Sequence, residues 1–294
     1  MHWKKVTLVG VGLLGGSLGL ALRRRRLAES VTGFVRRPAS LRECKRVGAV
    51  DSATLALHEA VQGADLIVFC TPIAQMRPLA EEMLRSLKRG AIVTDVGSVK
   101  QSVVQALSPL LSKAGAYFVG SHPMAGSEKT GVTAARADLF ENAACVVTPD
   151  QHSNRAAVRR VTGLWKSVGS KVLRLTPETH DELVSRSSHL PHVIAAQLAN
   201  LVLSPHSTRQ QAMLCANGFR DSTRIASSSP EMWRDIALAN RENLLGALDN
   251  FVAGLARFRR VLKSGDAAAV SRFFEQAKER RDKWSRNSGS HSPE

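Results

Sequence analysis

Up to residue 175, short apolar runs rich in Val, Ile, Leu and Phe alternate with stretches whose apolar residues recur every three or four positions. The runs at 5–9, 30–34, 66–70, 91–95, 117–120, 144–147 and 171–175 predict strands. Several, such as those within DLIVFC and AIVTDV, are apolar throughout rather than alternating, as expected of strands covered on both faces. Residues 73–87 and 154–168 carry helical spacing. Strands alternating with helices predict an α/β fold, a doubly wound parallel sheet with helices on both faces.

Beyond Thr176 the strand signal stops. Residues 181–203, 230–262 and 266–284 carry apolar residues at three- and four-residue spacing, and the rest of the chain reads as helix. This change predicts a boundary between an α/β domain over 1–176 and an all-helical domain over 177–284. The segment 231–262 is apolar on more than one side, which predicts burial against other helices, a second subunit's included, and hence a homodimer through the helical domain. Residues 285–294 are polar and Ser-rich, and a disordered tail is expected there.

A length of 294 residues, 44% of them hydrophobic, is enough for one large or two medium domains with their own cores. The formal charge of +16 raises the question of a nucleic-acid partner. The positive residues are scattered, however, in short groups at 23–26, 36–37, 257–263 and 278–286, with no aromatic interleaving. They read as solvated helix faces and helix C-termini, and no nucleic-acid partner is expected. Cys44, Cys70, Cys145 and Cys215 form no C-x-x-C pair and are expected to be reduced and structural, and no metal site is expected. Lys4 and Lys5 before the apolar stretch 6–22 imitate a signal peptide, but that stretch holds five glycines and is followed by four arginines. It is also short and glycine-rich for a membrane span, so no membrane association and a cytoplasmic location are expected.

The same stretch carries the first chemistry. Gly10, Gly12 and Gly15 form G-x-G-x-x-G directly after a strand and at the start of a helix. Gly10 permits the tight turn, Gly12 lets backbone approach a pyrophosphate, and Gly15 allows close helix packing. With Leu13 and Leu14 opening the helix, N–H donors and the positive end of its dipole face the phosphates. The fold expected is therefore Rossmann-type. After the second strand, where an acid would bind the ribose 2′-hydroxyl of NAD, the chain has Val35 followed by Arg36 and Arg37. Two arginines suit a 2′-phosphate, so NADP is the preferred cofactor, with NAD the alternative. Thr71 and Pro72 are expected at the carboxyl edge of the sheet, where cofactor and substrate meet.

Four further segments hold polar groups that a generic sheet does not need: DVGSVK (95–100), GSHPMAGSEKTGV (120–132), SSHLPHVIA (187–195) and GFRDSTRIASSSPEMWRDI (218–236). In this order they resemble the prephenate and arogenate dehydrogenase family of tyrosine biosynthesis, over nearly the whole chain. The resemblance implies oxidative decarboxylation of a cyclohexadienol with hydride transfer to NAD(P), giving 4-hydroxyphenylpyruvate or tyrosine and carbon dioxide. It implies that His122, just past a strand end, is the catalytic histidine that takes the hydroxyl proton. It implies that Ser98, at a helix start, bonds that histidine or the substrate. Arg224 matches the arginine that grips a substrate carboxylate. His192 matches a histidine of the substrate pocket, and His189, one turn earlier, competes for that role. Ser127, Glu128 and Trp233 match pocket-lining residues. Prephenate and arogenate stay open as substrates.

Two other functions fit parts of the pattern: a β-hydroxyacid- or imino-acid-type dehydrogenase of similar layout, and a non-catalytic NADP-binding regulator. The segment 122–126, HPMAG, argues against the first, and the joint presence of Ser98, His122 and Arg224 against the second. With no regulatory domain in the sequence, feedback through such a domain is not expected.

Overall fold

The structure is a computed structural model that describes residues 2–127 and 129–289. The chain divides into two compact units, Met1–Asn243 and Leu244–Glu294.

The first unit is built on a six-stranded sheet of β1 (Trp3–Val9), β2 (Ala28–Phe34), β3 (Ser52–Thr54), β4 (Leu66–Phe69), β5 (Ile92–Asp95) and β6 (Tyr117–Phe118). All its pairings are parallel and the spatial order is β3-β2-β1-β4-β5-β6. In β4, Leu66 and Val68 enter one hydrophobic cluster and Ile67 and Phe69 the other. That alternation explains the unbroken apolar run, since each face of a pleated strand meets a layer of helices. The helices are α1 (Leu13–Arg24), α2 (Pro38–Arg46), α3 (Leu57–Val61), α4 (Ile73–Met83), α5 (Gln101–Lys113) and α6 (Arg155–Ser167).

The expected parallel sheet is present, with two differences. Strand β3 was not predicted, because three half-exposed or exposed residues at a sheet edge leave no apolar run. The run predicted at 117–120 changes sheets at Val119: β6 ends at Phe118, and β7 (Gly120–Pro123) joins β8 (Ala144–Thr148) and β9 (Lys171–Arg174) in a separate three-stranded sheet. Polar bonds at Ser121 fasten the new sheet to the old. The Ser121 hydroxyl donates to Asp95 O at 2.6 Å and accepts from Thr94 Oγ1 at 2.8 Å and Trp165 Nε1 at 2.9 Å.

From α7 (Pro177–Val184) onward the chain is helical: α8 (Leu190–Val202), α9 (Arg209–Met213), α10 (Asn217–Thr223), α11 (Pro230–Ala239), α12 (Arg241–Ser264) and α13 (Ala267–Gly289). The helix predicted over 181–203 contains a π-turn at Ser185–His189. Pro191, which has no N–H to donate, follows that turn. The helix predicted over 230–262 breaks at Asn240, whose amide is drawn into the buried interior, where it donates to Asp181 O at 2.8 Å. Helices α7 to α11 belong to the same compact unit as the sheets.

In the second unit Phe258 packs on Phe273 and Phe274, with ring centroids 4.4 and 5.8 Å apart. Only Leu244 and Ala247 of α12 are buried, while Val252, Leu255 and Leu262 are exposed, so the burial predicted for this helix is not supplied within the single chain. Helix α13 runs through Gly289, so residues 285–289 continue a helix where a disordered tail was expected. Residues 290–294 lie outside the described residues. Among the described residues, no helix is long and apolar enough to cross a membrane.

Candidate active site

The glycine turn joins β1 to α1. Gly10 has φ +95°, and a Cβ there would stand 3.0 Å from both Cys70 O and Thr71 Cγ2, so both conformation and space require glycine. A Cβ at Gly15 would run into the Gly10 carbonyl oxygen, which explains why α1 starts so close to the turn. A Cβ at Gly12 meets nothing within 4 Å. Gly12 is the N-cap of α1 and borders two cavities of about 500 Å³ each.

The first cavity is lined by Gly10, Gly12, Arg36, Arg37, Thr71 and Pro72, together with Val35, Ser40, Glu43 and Gln75. Thr71 Oγ1 and Gln75 Oε1 are buried with no hydrogen-bond partner among the described residues. A cradle open at Gly12, a helix N-terminus and two orphaned polar atoms fit a dinucleotide, which would supply phosphate and hydroxyl partners. The arginines stand where the pattern placed them, at the end of β2. Glu43 on α2 is an acid of this wall that the sequence reading did not consider.

The second cavity is lined by Leu13, Leu14, Ser98, His122, Ser127, His192, Arg224 and Trp233, with Met124, Lys129 and Met232 among the others. Residues from four further stretches of the chain, around 98, 122–131, 188–192 and 224–236, thus meet at the mouth of the glycine turn. Glu128 lies outside the described residues. His189 does not line this cavity; it is fully buried, and its Nδ1 lies 3.1 Å from the Asn240 amide nitrogen. Burial pushes its pKa down to about 4. A third cavity, of about 550 Å³, lies by Gln105, Ser108, Asp150 and His152 and holds none of the residues singled out from the sequence.

His122 is a residue of β7 rather than one just past a strand end, paired with Val146 of β8. Its backbone is held in the β7–β8 ladder, and it is 6% exposed. His122 Nδ1 lies 2.9 Å from His180 Nε2, and His180 Nδ1 lies 2.7 Å from Asp181 Oδ1. Burial holds His122 well below the ordinary histidine pKa, and the neighbouring His180, Lys100 and His189 add to that. Lys100 and Asp95 form a fully buried ion pair. Ser98 lies in the 96–100 connection three residues before α5, so it is not the helix cap. The Asp181 carboxylate takes that role, accepting Lys100 N at 2.7 Å and Gln101 N at 2.9 Å.

His192 stacks on Trp233 with ring centroids 3.7 Å apart and 26° between planes. Its Nδ1 lies 2.9 Å from Ser188 O, the carbonyl one turn back, which fixes the ring. Burial lowers its pKa, and Arg224 adds to the effect. Trp233 Nε1 is buried with no partner among the described residues. Arg224 stands at the C-terminal end of α10. Together these form an aromatic wall with a cation and a neutral imidazole, suited to a ring bearing carboxylate and hydroxyl groups.

His180, Asp181, Lys100 and Asn240 were not singled out from the sequence. A signal existed for two of them, because His180 and Asp181 lie in α7, whose other inward positions, Pro177 and Val184, are apolar, yet it does not distinguish a buried network from a solvated pair.

Two family models match the chain in tandem: the prephenate dehydrogenase nucleotide-binding domain over residues 18–174 and the prephenate dehydrogenase dimerization domain over 176–276. The prephenate dehydrogenase of Bacillus subtilis (strain 168) is 36% identical over 281 residues, covering 94% of this chain and 75% of that protein. Prephenate dehydrogenase from A. aeolicus, solved in complex with hydroxyphenyl propionate and NAD+, has a TM-score of 0.90 and 31% identity, covering 96% of this chain and 99% of that one. Synechocystis arogenate dehydrogenase has a TM-score of 0.80 and 31% identity, covering 95% and 99%.

Proposed function

The chain belongs to the prephenate dehydrogenase family, and from that premise we propose how its own residues carry out the oxidative decarboxylation of prephenate, arogenate or both. It is an oxidoreductase that uses a nicotinamide dinucleotide. The observation that carries the site assignment is the convergence of Ser98, His122, His192, Arg224 and Trp233 on one cavity that opens at Gly12.

The turn at Gly10, Gly12 and Gly15, the first turn of α1 at Leu13 and Leu14, and Thr71 and Pro72 would hold a dinucleotide, which would supply the hydride acceptor. The ring carbon bearing the hydroxyl loses hydride, and His122 takes the hydroxyl proton. The bond to the ring carboxylate breaks, its electron pair aromatises the ring as carbon dioxide leaves, and the phenolate oxygen so formed takes its proton back from His122. His122 suits this task because burial keeps it neutral. Ser98 positions the hydroxyl, Arg224 binds a substrate carboxylate through its planar fork, and Ser127, His192 and Trp233 shape the wall. His189, buried behind this wall, supports it and does not touch substrate. Glu128 is assigned to the pocket through the family motif alone.

Arg36 and Arg37 support NADP over NAD, while Glu43 on the same wall works against a 2′-phosphate. We assign the cofactor to residues 1–176 and substrate closure and dimerisation to 177–284. The exposed Val252, Leu255, Leu262, Phe273 and Phe274 of α12 and α13 supply an apolar surface for a homodimer. We extend the proposal to a cytoplasmic location and a small-molecule partner, with neither nucleic acid nor membrane.

The test is reduction of NADP and of NAD by the purified protein, followed by absorbance, with prephenate and arogenate in turn. Turnover with one pair fixes substrate and cofactor together. No turnover with any of the four, in folded protein that binds a dinucleotide, would remove the assignment.

A further inference from the structure

Accepting His122 as the proton acceptor of the reaction leaves open which of its nitrogens holds the lone pair. We propose that His180 and Asp181 act as positioning residues that set the tautomer of His122, placing its proton on Nδ1 and its lone pair on Nε2, toward the cavity.

Asp181 anchors this chain of bonds. Its Oδ1 accepts the Lys100 N–H at 2.7 Å and its Oδ2 accepts the Gln101 N–H at 2.9 Å. Backbone donors cannot reverse their polarity, so both oxygens act as acceptors, the arrangement that suits a carboxylate, which only accepts. His180 Nδ1, 2.7 Å from Oδ1, must therefore carry a proton and donate it. In a neutral imidazole the other nitrogen is then an acceptor. His180 Nε2 lies 2.9 Å from His122 Nδ1, so that nitrogen is the donor. The only acceptor left on His122 is Nε2, the nitrogen not engaged with His180, and His122 lines the substrate cavity.

Burial makes the chain of bonds directional. His180 is 0%, Asp181 1% and His122 6% exposed, so water does not compete for these nitrogens. The alternative, a doubly protonated His180 donating at both ends, is opposed by its burial, which lowers its pKa despite the bond to Asp181. The rest of the frame is fixed as well: Asn240 donates to the Asp181 backbone carbonyl at 2.8 Å, and Asp181 caps α5. When His122 takes the substrate proton it becomes an imidazolium, and its Nδ1–H points along two hydrogen bonds to a carboxylate. The added charge is thus stabilised without proton transfer to Asp181.

The inference rests on the catalytic role of His122 for its consequence, but not for its first test. In full-length protein labelled with 15N-histidine, the shifts of His122 should report a protonated Nδ1 and a bare Nε2. A 15N–15N coupling across the hydrogen bond should link His122 Nδ1 to His180 Nε2. A His122 with its proton on Nε2, or no such coupling, overturns the proposal whatever the activity.

The second test is kinetic. His180→Phe keeps a flat ring in place but breaks the relay, and should lower kcat by about 10- to 1000-fold while KM and dinucleotide Kd stay within about twofold. His180→Gln, whose amide can donate to Asp181 and accept from His122, should recover much of that loss. An unchanged kcat in His180→Phe, with the wild-type tautomer retained, overturns the relay. If instead His122→Asn is fully active, the proton-acceptor reading fails while the tautomer assignment stands.

Discussion

Asp95 and Lys100 form an ion pair in which neither side chain reaches solvent. The other oxygen of Asp95 accepts the N–H of Ser121 at 3.0 Å, so the pair is tied to the strand that carries His122. Together with burial, the Lys100 charge opposes protonation of that imidazole. Turnover should therefore stay level as pH falls through 6.5, with the acid limb of kcat well below that value. A kcat profile from pH 5 to 9 checks this, and a limb centred at or above 6.5 would contradict it.

The same histidines make stability depend on pH. His122, His180 and His189 all have folded-state pKa values lowered by burial, His189 to about 4. Their unfolded values are ordinary, near 6.5. Between those limits the unfolded chain binds more protons, so their contribution is fully present above about pH 6.5 and is lost as pH falls toward the folded values. Urea midpoints should be level from pH 7 to 8 and decline from pH 6.5 to 4. His189→Asn should shrink that decline, unlike a surface substitution such as His152→Asn.

What was legible in the chain followed from periodicity and special residues. The buried strands could be read because burial on both faces forbids polar residues, and the glycine turn because only glycine fits it. Arg224, His192 and Trp233 were recognised through motifs spread over the last third of the domain that bears them. The relay behind His122 was not legible. His180, Asp181 and Asn240 lie 58, 59 and 118 positions beyond His122 in the numbering, and nothing local shows that a π-turn and a helix break bring them together. β3 escaped because a short edge strand needs no apolar signature. The continuous helix expected over 230–262 failed because apolar spacing persists across Asn240, where a side-chain bond overrides it.

Arg224 and the stacked pair of His192 and Trp233 border the same cavity. Removing the guanidinium should weaken the hold on a carboxylate while leaving the dinucleotide site alone. Arg224→Ala is expected to raise the substrate KM about 100-fold with dinucleotide Kd unchanged, and Arg224→Lys to recover only part, because an ammonium lacks the planar fork. An effect confined to the dinucleotide would move Arg224 out of the substrate site.

Arg36 and Arg37 line, with Glu43, the cavity assigned above to the dinucleotide. If they bind a 2′-phosphate, alanine at both should weaken NADP by about 10- to 100-fold and NAD by less than about twofold, measured by titration calorimetry. Glu43→Gln should act in the opposite sense and strengthen NADP. Equal weakening of both dinucleotides by the arginine changes would show that these side chains do not read the phosphate.

The two glycines at the head of α1 separate packing from binding. At Gly15 a Cβ would collide with the Gly10 carbonyl oxygen, a backbone atom that cannot move without opening the turn. Gly15→Ala should lower stability, by about 1–3 kcal/mol as overpacking commonly does, and weaken the dinucleotide as well. At Gly12 a Cβ meets no protein atom within 4 Å, and φ is −93°, outside the left-handed region that demands glycine. The space it would fill is the cradle assigned to the pyrophosphate. Gly12→Ala should therefore leave the urea midpoint unchanged within about 0.5 kcal/mol while dinucleotide Kd rises at least about tenfold. Unchanged affinity in a stable Gly12→Ala protein would mean that the phosphates bind elsewhere.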